Sequence, residues 1–66
     1  MTTILFQGAK RQTDAASVAE FLKKEGIRTL AAIVEYKGEA YSPGMALDMP
    51  LEEGAELNVF HIVAGG

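Results

Sequence analysis

Residues 17–27 read SVAEFLKKEGI, and the kind of fold open to this chain follows from them. Ser17 and Glu20 have the spacing of a capping box, in which the serine hydroxyl takes the Glu20 amide and the glutamate reaches back. Ala16 stands in the staple position, where it can pack weakly on Phe21. Val18, Phe21 and Leu22 fall on one helical face. Lys23 and Lys24 suit the negative end of the helix dipole. Gly26 sits where a helix needs a left-handed residue to stop, and Ile27 is placed for a Schellman contact back to Leu22. The spacing predicts a helix of about two turns over 18–25.

A single helix with one apolar face needs a surface to cover. The flanking segments read as strands that supply it. TTILFQ (2–7) alternates with period two, placing Thr2, Ile4 and Phe6 on one face and Thr3, Leu5 and Gln7 on the other. Gly8 marks a turn, after which AKRQT (9–13) reads as a short polar return strand. LAAIVEYKGEAYS (30–42) reads as two strands around a Lys37-Gly38 turn, and Pro43-Gly44 then breaks the chain. MALDMPLEEG (45–54) is apolar at Met45, Leu47, Met49 and Leu51, but Pro50 forbids a regular helix through it. It reads as a loop or short 3₁₀ turn plugging the open end of the core. AELNVFHIV (55–63) closes as a strand, with Leu57, Val59 and His61 pointing one way and Asn58, Phe60 and Ile62 the other.

Sixty-six residues bound the rest: one domain, 1–66, with no repeat and no linker long enough to divide it. A chain of this size buries only ~60% of the surface its unfolded form exposes, and one core supplies ~3–5 kcal/mol of net stability. There is no cysteine, so neither a disulfide nor a thiolate metal site helps, which fits a reducing cytoplasm. No secretory signal or membrane span is present. Nine acidic against six basic residues give a net charge of −3, which disfavours nucleic acid or an anionic membrane as partner. One histidine and no cysteine leave little for a self-contained enzyme, so catalysis must come from a partner.

The last residues are HIVAGG (61–66). A carboxylate must be activated, for instance as a mixed anhydride with AMP, before it can do acyl chemistry. That activation requires it to enter another protein's nucleotide site. Residues 63–66 fully extended span roughly 13 Å at ~3.3 Å each, enough to thread a narrow channel. A Cβ at Gly65 or Gly66 would obstruct attack on the carbonyl, and glycine removes that obstruction. The plain alternative is a frayed end.

On these residues the chain resembles the ThiS family, the small sulfur carriers of thiamine biosynthesis. TTILFQG looks like the family's first strand and turn, and SVAEFLKKEGI is similar to its helix opening, with Ser17 in the place of a threonine. IVEYKGEAYSP resembles its central hairpin. LEEGAELNVFHIVAGG resembles its acidic-glycine turn, last strand and tail. Gly44 follows Pro43 where the family often carries a basic residue, and 44–50 matches poorly; both leave the receiving enzyme open.

The resemblance implies a ubiquitin-like β-grasp, an α+β fold whose mixed sheet of four to five strands is covered on one face by a single main helix. It implies that Gly66 is adenylated by a ubiquitin-activating-type (ThiF-like) adenylyltransferase using ATP, and that a sulfur donor then displaces AMP to leave a thiocarboxylate. The receiver is a thiazole synthase (ThiG-like) or another acceptor enzyme serving cysteine, homocysteine or molybdopterin precursors. Val63, Ala64 and Gly65 are then a flexible tail entering the partner's active site, and the chain is a co-substrate, with no bound cofactor and a monomeric free form. In the resembled fold the open sheet face near the tail docks on the activating enzyme.

Ile4, Phe6, Leu57 and Val59 facing the helix would leave Leu5, Phe60 and Ile62 on that open face, unless one tucks under the 44–51 loop. His61 reads as a packing or rim residue. Asp48, Glu52, Glu53 and Glu56 lack the pattern of a calcium loop and read as a solvated acidic rim. Glu35 and Glu39 read as solvent-facing. Two other readings stand beside the carrier: a ubiquitin-like interaction or modifier module, and a passive binding domain.

Overall fold

Two hairpins, a short helix and a last strand make up the fold, and each local piece has a visible chemical cause. The structure is a computed structural model, described for residues 1–61. Strand β1 (Thr2–Phe6) turns back into β2 (Ala9–Thr13), which pairs with it antiparallel. The turn residues Gln7 and Gly8 both have positive φ, 53° and 81°. The second hairpin repeats the device: β3 (Ala32–Tyr36) and β4 (Glu39–Tyr41) meet at Lys37 and Gly38, with φ 54° and 84°. Two positive φ values are the type I′ pattern, whose twist matches that of the strands it joins.

Helix α1 spans Val18–Lys24, one residue short of the sequence expectation at its end. The Glu20 amide donates to Ser17 Oγ at 3.1 Å. The Glu20 carboxylate reaches further than a standard box, accepting from the Ala16 amide at 3.0 Å. The cause is that Ser17 lies in a β-bridge with Pro50, which fixes the entering backbone. Val18 N donates to Met49 O and Leu51 N to Ala16 O, so proline occupies the one position whose missing N–H leaves nothing unmade. Ala16 is exposed rather than stapled; Ala15 enters the core in its place. At the other end Gly26 takes φ 73°. Gly26 N donates to Lys23 O and Ile27 N to Leu22 O, the two bonds of a Schellman motif. Ser17→Ala should lower stability by about 1 kcal/mol, measurable as a shift of the urea midpoint at constant slope.

Among the described residues the strands form one five-stranded sheet, β2-β1-β5-β3-β4, with β5 (Glu56–His61) in the middle. β5 lies parallel to β1 and antiparallel to β3. This mixed sheet under one helix is the ubiquitin-like β-grasp arrangement. The helix face meets the inward positions of the strands: Ile4, Val18, Leu22, Ala32 and Leu57 are fully buried. Phe6 and Phe21 meet edge-on, ring centroids 5.1 Å apart. The Arg11 guanidinium stands over both rings at 5.7 and 5.8 Å and bonds Glu25 at 2.7 Å, closing that side of the core.

The 44–51 segment is a loop, as the proline demands, and runs along the start of the helix. Leu47 is buried in the core, with Met49 and Leu51 packed against it, while Met45 stays exposed. The buried Tyr36 hydroxyl pins this loop's end by donating to Pro50 O and accepting from Glu52 N, at 2.9 and 2.8 Å. One expectation needs correcting. Leu30 and Ala31 do not begin β3; Thr29–Ala31 is a 3₁₀ turn and Leu30 is 82% exposed. The Thr29 carbonyl accepts from the Gly44 amide at 3.1 Å, which ties this turn to the loop after β4.

Asp14 pairs with Lys24, whose bond holds the aspartate below its ordinary value and the lysine above its own. The lowered carboxylate contributes stability above its unfolded value and loses it as pH falls through the folded one. The raised ammonium contributes below its unfolded value and loses it as pH rises through the folded one. Both groups are solvent-exposed, so neither effect is large.

Candidate functional site

The helix covers one face of the sheet and leaves the other open. Inward positions of β5 and β3 alternate with outward ones, and in register Ile33 stands opposite Phe60 and Glu35 opposite Asn58. Phe60 is 55% exposed and Ile33 is 37% exposed. Two adjacent apolar side chains thus face water at one end of the central strand. Beside them Asn58 Nδ2 donates to Glu35 Oε1 at 3.1 Å. Glu35 is therefore half-buried in a cross-strand pair, which corrects the solvent-facing expectation for it; Glu39 is exposed.

Leu5 lies on the same open face but apart from Phe60. Its row on the sheet is Lys10–Leu5–Glu56, and Phe60 lies four positions beyond Glu56, about 13 Å along the strand. Leu5 is half-buried. Neither Leu5 nor Phe60 has the 44–51 loop over it, since that loop belongs to the helix side of the sheet. Ile33 is the residue that sequence reasoning missed. Its signal was available in AIVEY, where Ala32, Val34 and Tyr36 take the buried face and leave Ile33 with Glu35 on the other.

His61 is exposed at the end of β5, opposite buried Ala32. Ile62, Val63, Ala64, Gly65 and Gly66, the expected docking and tail residues, lie outside the described residues. The acidic positions Asp48, Glu52, Glu53 and Glu56 are exposed, and two of them are engaged elsewhere. Glu52 bonds Lys37 at 2.6 Å, and Glu53 Oε1 accepts from the Thr3 amide at 3.0 Å. The bond to Glu52 raises the Lys37 ammonium above its ordinary value. Among the described residues no group of three or more His, Asp or Glu side chains is arranged to hold a metal ion. A groove on the helix side, between Leu22, Ile27, Leu30, Met45 and Leu47, has Lys23 and Arg28 on its rim; no acidic side chain lines it, so it offers no acid–base pair.

What the described chain offers chemically is thus a closed core, an exposed apolar pair on an open sheet, and a central strand followed in sequence by Ile62, Val63, Ala64, Gly65 and Gly66. Comparison with known families matches residues 4–66 to the ThiS family. The chain belongs to the ThiS family. The match includes Gly65 and Gly66 and leaves out only the first three residues. Membership makes this ThiS-family chain a small sulfur carrier rather than a catalyst. No curated protein matches it at a significant level. No helix among the described residues is long and apolar enough to cross a membrane.

Proposed function

We propose that this ThiS-family chain carries sulfur as a thiocarboxylate on Gly66, made after adenylation and delivered to the thiazole moiety of thiamine. The observation that carries the reading is that the family match runs through Gly66, five residues in sequence beyond the described end of the central strand at His61. The Gly66 carboxylate attacks the α-phosphorus of ATP, giving an acyl-adenylate and releasing pyrophosphate. A sulfur nucleophile then adds to the acyl carbon; the carbon–oxygen bond to AMP breaks, and AMP leaves with the electron pair. Sulfur thus replaces one carboxylate oxygen, with no oxidant or reductant needed when the donor is hydrosulfide. The thiocarboxylate is softer and more nucleophilic than the carboxylate, so it attacks an electrophilic acceptor.

The chain itself supplies no acid, base or metal for these steps. ATP and the catalytic groups belong to a ubiquitin-activating-type, ThiF-like adenylyltransferase, and the acceptor is a thiazole synthase of the ThiG-like kind. Val63, Ala64 and Gly65 thread the partner's channel. Phe60 and Ile33, together with Ile62, form the docking patch, and Leu5 marks its far edge. The carrier works in the cytoplasm, as a monomer between encounters; a chain without cysteine has no thiol of its own to compete for the activated carbonyl.

Mass spectrometry tests the reading directly. Incubated with the adenylyltransferase, ATP and hydrosulfide, the chain should exchange one oxygen for one sulfur, located on Gly66 by fragmentation. A lysine-linked adduct in place of that exchange would identify a modifier, and no change at all a passive domain. Phe60→Ala should weaken binding to the adenylyltransferase about ten-fold or more, as a truncated interface anchor does. Because the ring is largely exposed, thermal unfolding should scarcely move. Calorimetric titration checks the first and circular dichroism the second; unchanged affinity would remove the docking role from this patch.

A further inference from the structure

Strand β1 ends at Phe6 and turns away, while β5 continues through His61. The β1-facing edge of β5 is therefore left behind after Leu57, whose carbonyl accepts the Gln7 backbone amide at 3.0 Å. The next groups on that edge are the N–H and C=O of Val59. Both are met by one side chain: Gln7 Nε2 donates to Val59 O at 2.9 Å, and Gln7 Oε1 accepts from Val59 N at 3.1 Å. The carboxamide copies a peptide unit and stands where a continued β1 would have been.

The residue chosen for this place is not the one the turn wants. Gln7 has φ 53°, the first central position of a type I′ turn, where asparagine, aspartate and glycine are favoured. An asparagine would suit the turn better and would be one methylene too short to span to Val59. The position thus gives up turn preference and gains reach. What it reaches is the last inward residue of β5 before Phe60 and His61, which lead into residues 62–66.

We propose that Gln7 is a positioning residue for sulfur transfer: its side-chain amide fixes the line along which β5 leaves the sheet, and with it the origin of the segment that carries Gly66. The inference rests on the carrier reading given above. Without the clamp, Val59 to His61 are held from the β3 side alone. Docking through Phe60 and Ile33 survives, because their register is set by β3, but the carboxylate arrives off line. A misplacement on the order of 1 Å can slow a reaction by up to ~10²-fold.

The test uses the full chain with Gln7→Asn and Gln7→Leu. Hydrogen exchange at the Val59 amide reads the clamp, and steady-state adenylation reads its use. In both variants the Val59 amide should exchange about ten-fold faster or more, with the Val34 amide at the sheet centre unchanged. The kcat for adenylation should fall about ten-fold while KM stays within two-fold. Asparagine is the discriminating substitution. If Gln7 served only its turn, Gln7→Asn would fold at least as well and react as fast as wild type. Wild-type kcat in an asparagine variant whose Val59 amide has been freed, or a Val59 amide as protected as before, overturns the role of Gln7. A wild-type chain that takes up no sulfur overturns the carrier reading itself, an outcome distinct from both.

Discussion

Leu57→Ala is expected to leave most molecules unfolded at ambient temperature. Leu57 is fully buried as the second residue of the central strand, with Phe6 opposite on one side and Tyr36 on the other. Truncating a buried leucine removes the transfer free energy of its side chain and leaves a cavity, together ~2–5 kcal/mol. A core of this size supplies ~3–5 kcal/mol in all. The deficit is comparable with the whole stability, so a graded loss is not expected. Circular dichroism should show the helix and sheet signals lost together, and a urea scan should lack a folded baseline. A cooperative transition shifted by less than ~1 kcal/mol would mean that the sheet centre relaxes around the gap far more than its packing allows.

A single alanine added after Gly66 should have an effect of similar size on chemistry and none on folding. It moves the reacting carboxylate by one residue, ~3.3–3.6 Å of extended chain, and places a Cβ beside the carbonyl to be attacked. Displacement on the order of 1 Å can slow a positioned reaction by up to ~10²-fold, so sulfur uptake should fall by at least that factor. Thermal unfolding should be unchanged, since the added residue lies beyond the described sheet. Mass spectrometry of the extended chain after incubation with the adenylyltransferase, ATP and hydrosulfide checks this. Sulfur uptake at the unextended rate would contradict the assignment of Gly66 as the reacting residue.

The parts of the fold governed by short-range chemistry were legible in the sequence. Ser17 with Glu20, and Gly26 with Ile27, act over a few residues, and all four take part in caps, although the Glu20 carboxylate bonds Ala16 instead of Ser17. Gly8 and Gly38 mark hairpins for the same reason. The buried set Ile4, Phe6, Leu57 and Val59 followed from period-two alternation under one apolar helix face. The strand order did not follow, because nothing in residues 2–6 states that they lie parallel to residues 56–61.

The misses were also long-range. Glu20 bypasses Ser17 because Pro50, more than thirty positions away in the chain, bridges to the cap residue. Glu35 is drawn out of solvent by Asn58. Leu30 looked like strand from composition, but it lies in a 3₁₀ turn tied to the distant Gly44 through the Thr29 carbonyl, and the strand starts two residues later. On the site side, the apolar character of Phe60 was readable and its nearest companion was not. Leu5 shares its face but lies rows away, while Ile33 stands next to it only through the β3–β5 register. The Gln7 clamp is invisible in sequence for the same reason: it joins positions 7 and 59.

The middle place of β5 bears on how the molecule is born. In order of synthesis, both hairpins and the helix precede the strand that joins them. Leu5 meets Glu56 only after some fifty intervening residues exist. Until then β1 and β3 each offer an unpaired edge, the feature that invites pairing with neighbouring chains. Local structure can form early, but the closing step is a distant search that sets the pace of folding. Released chains truncated before Glu56 should be the species most prone to aggregate and to engage chaperones.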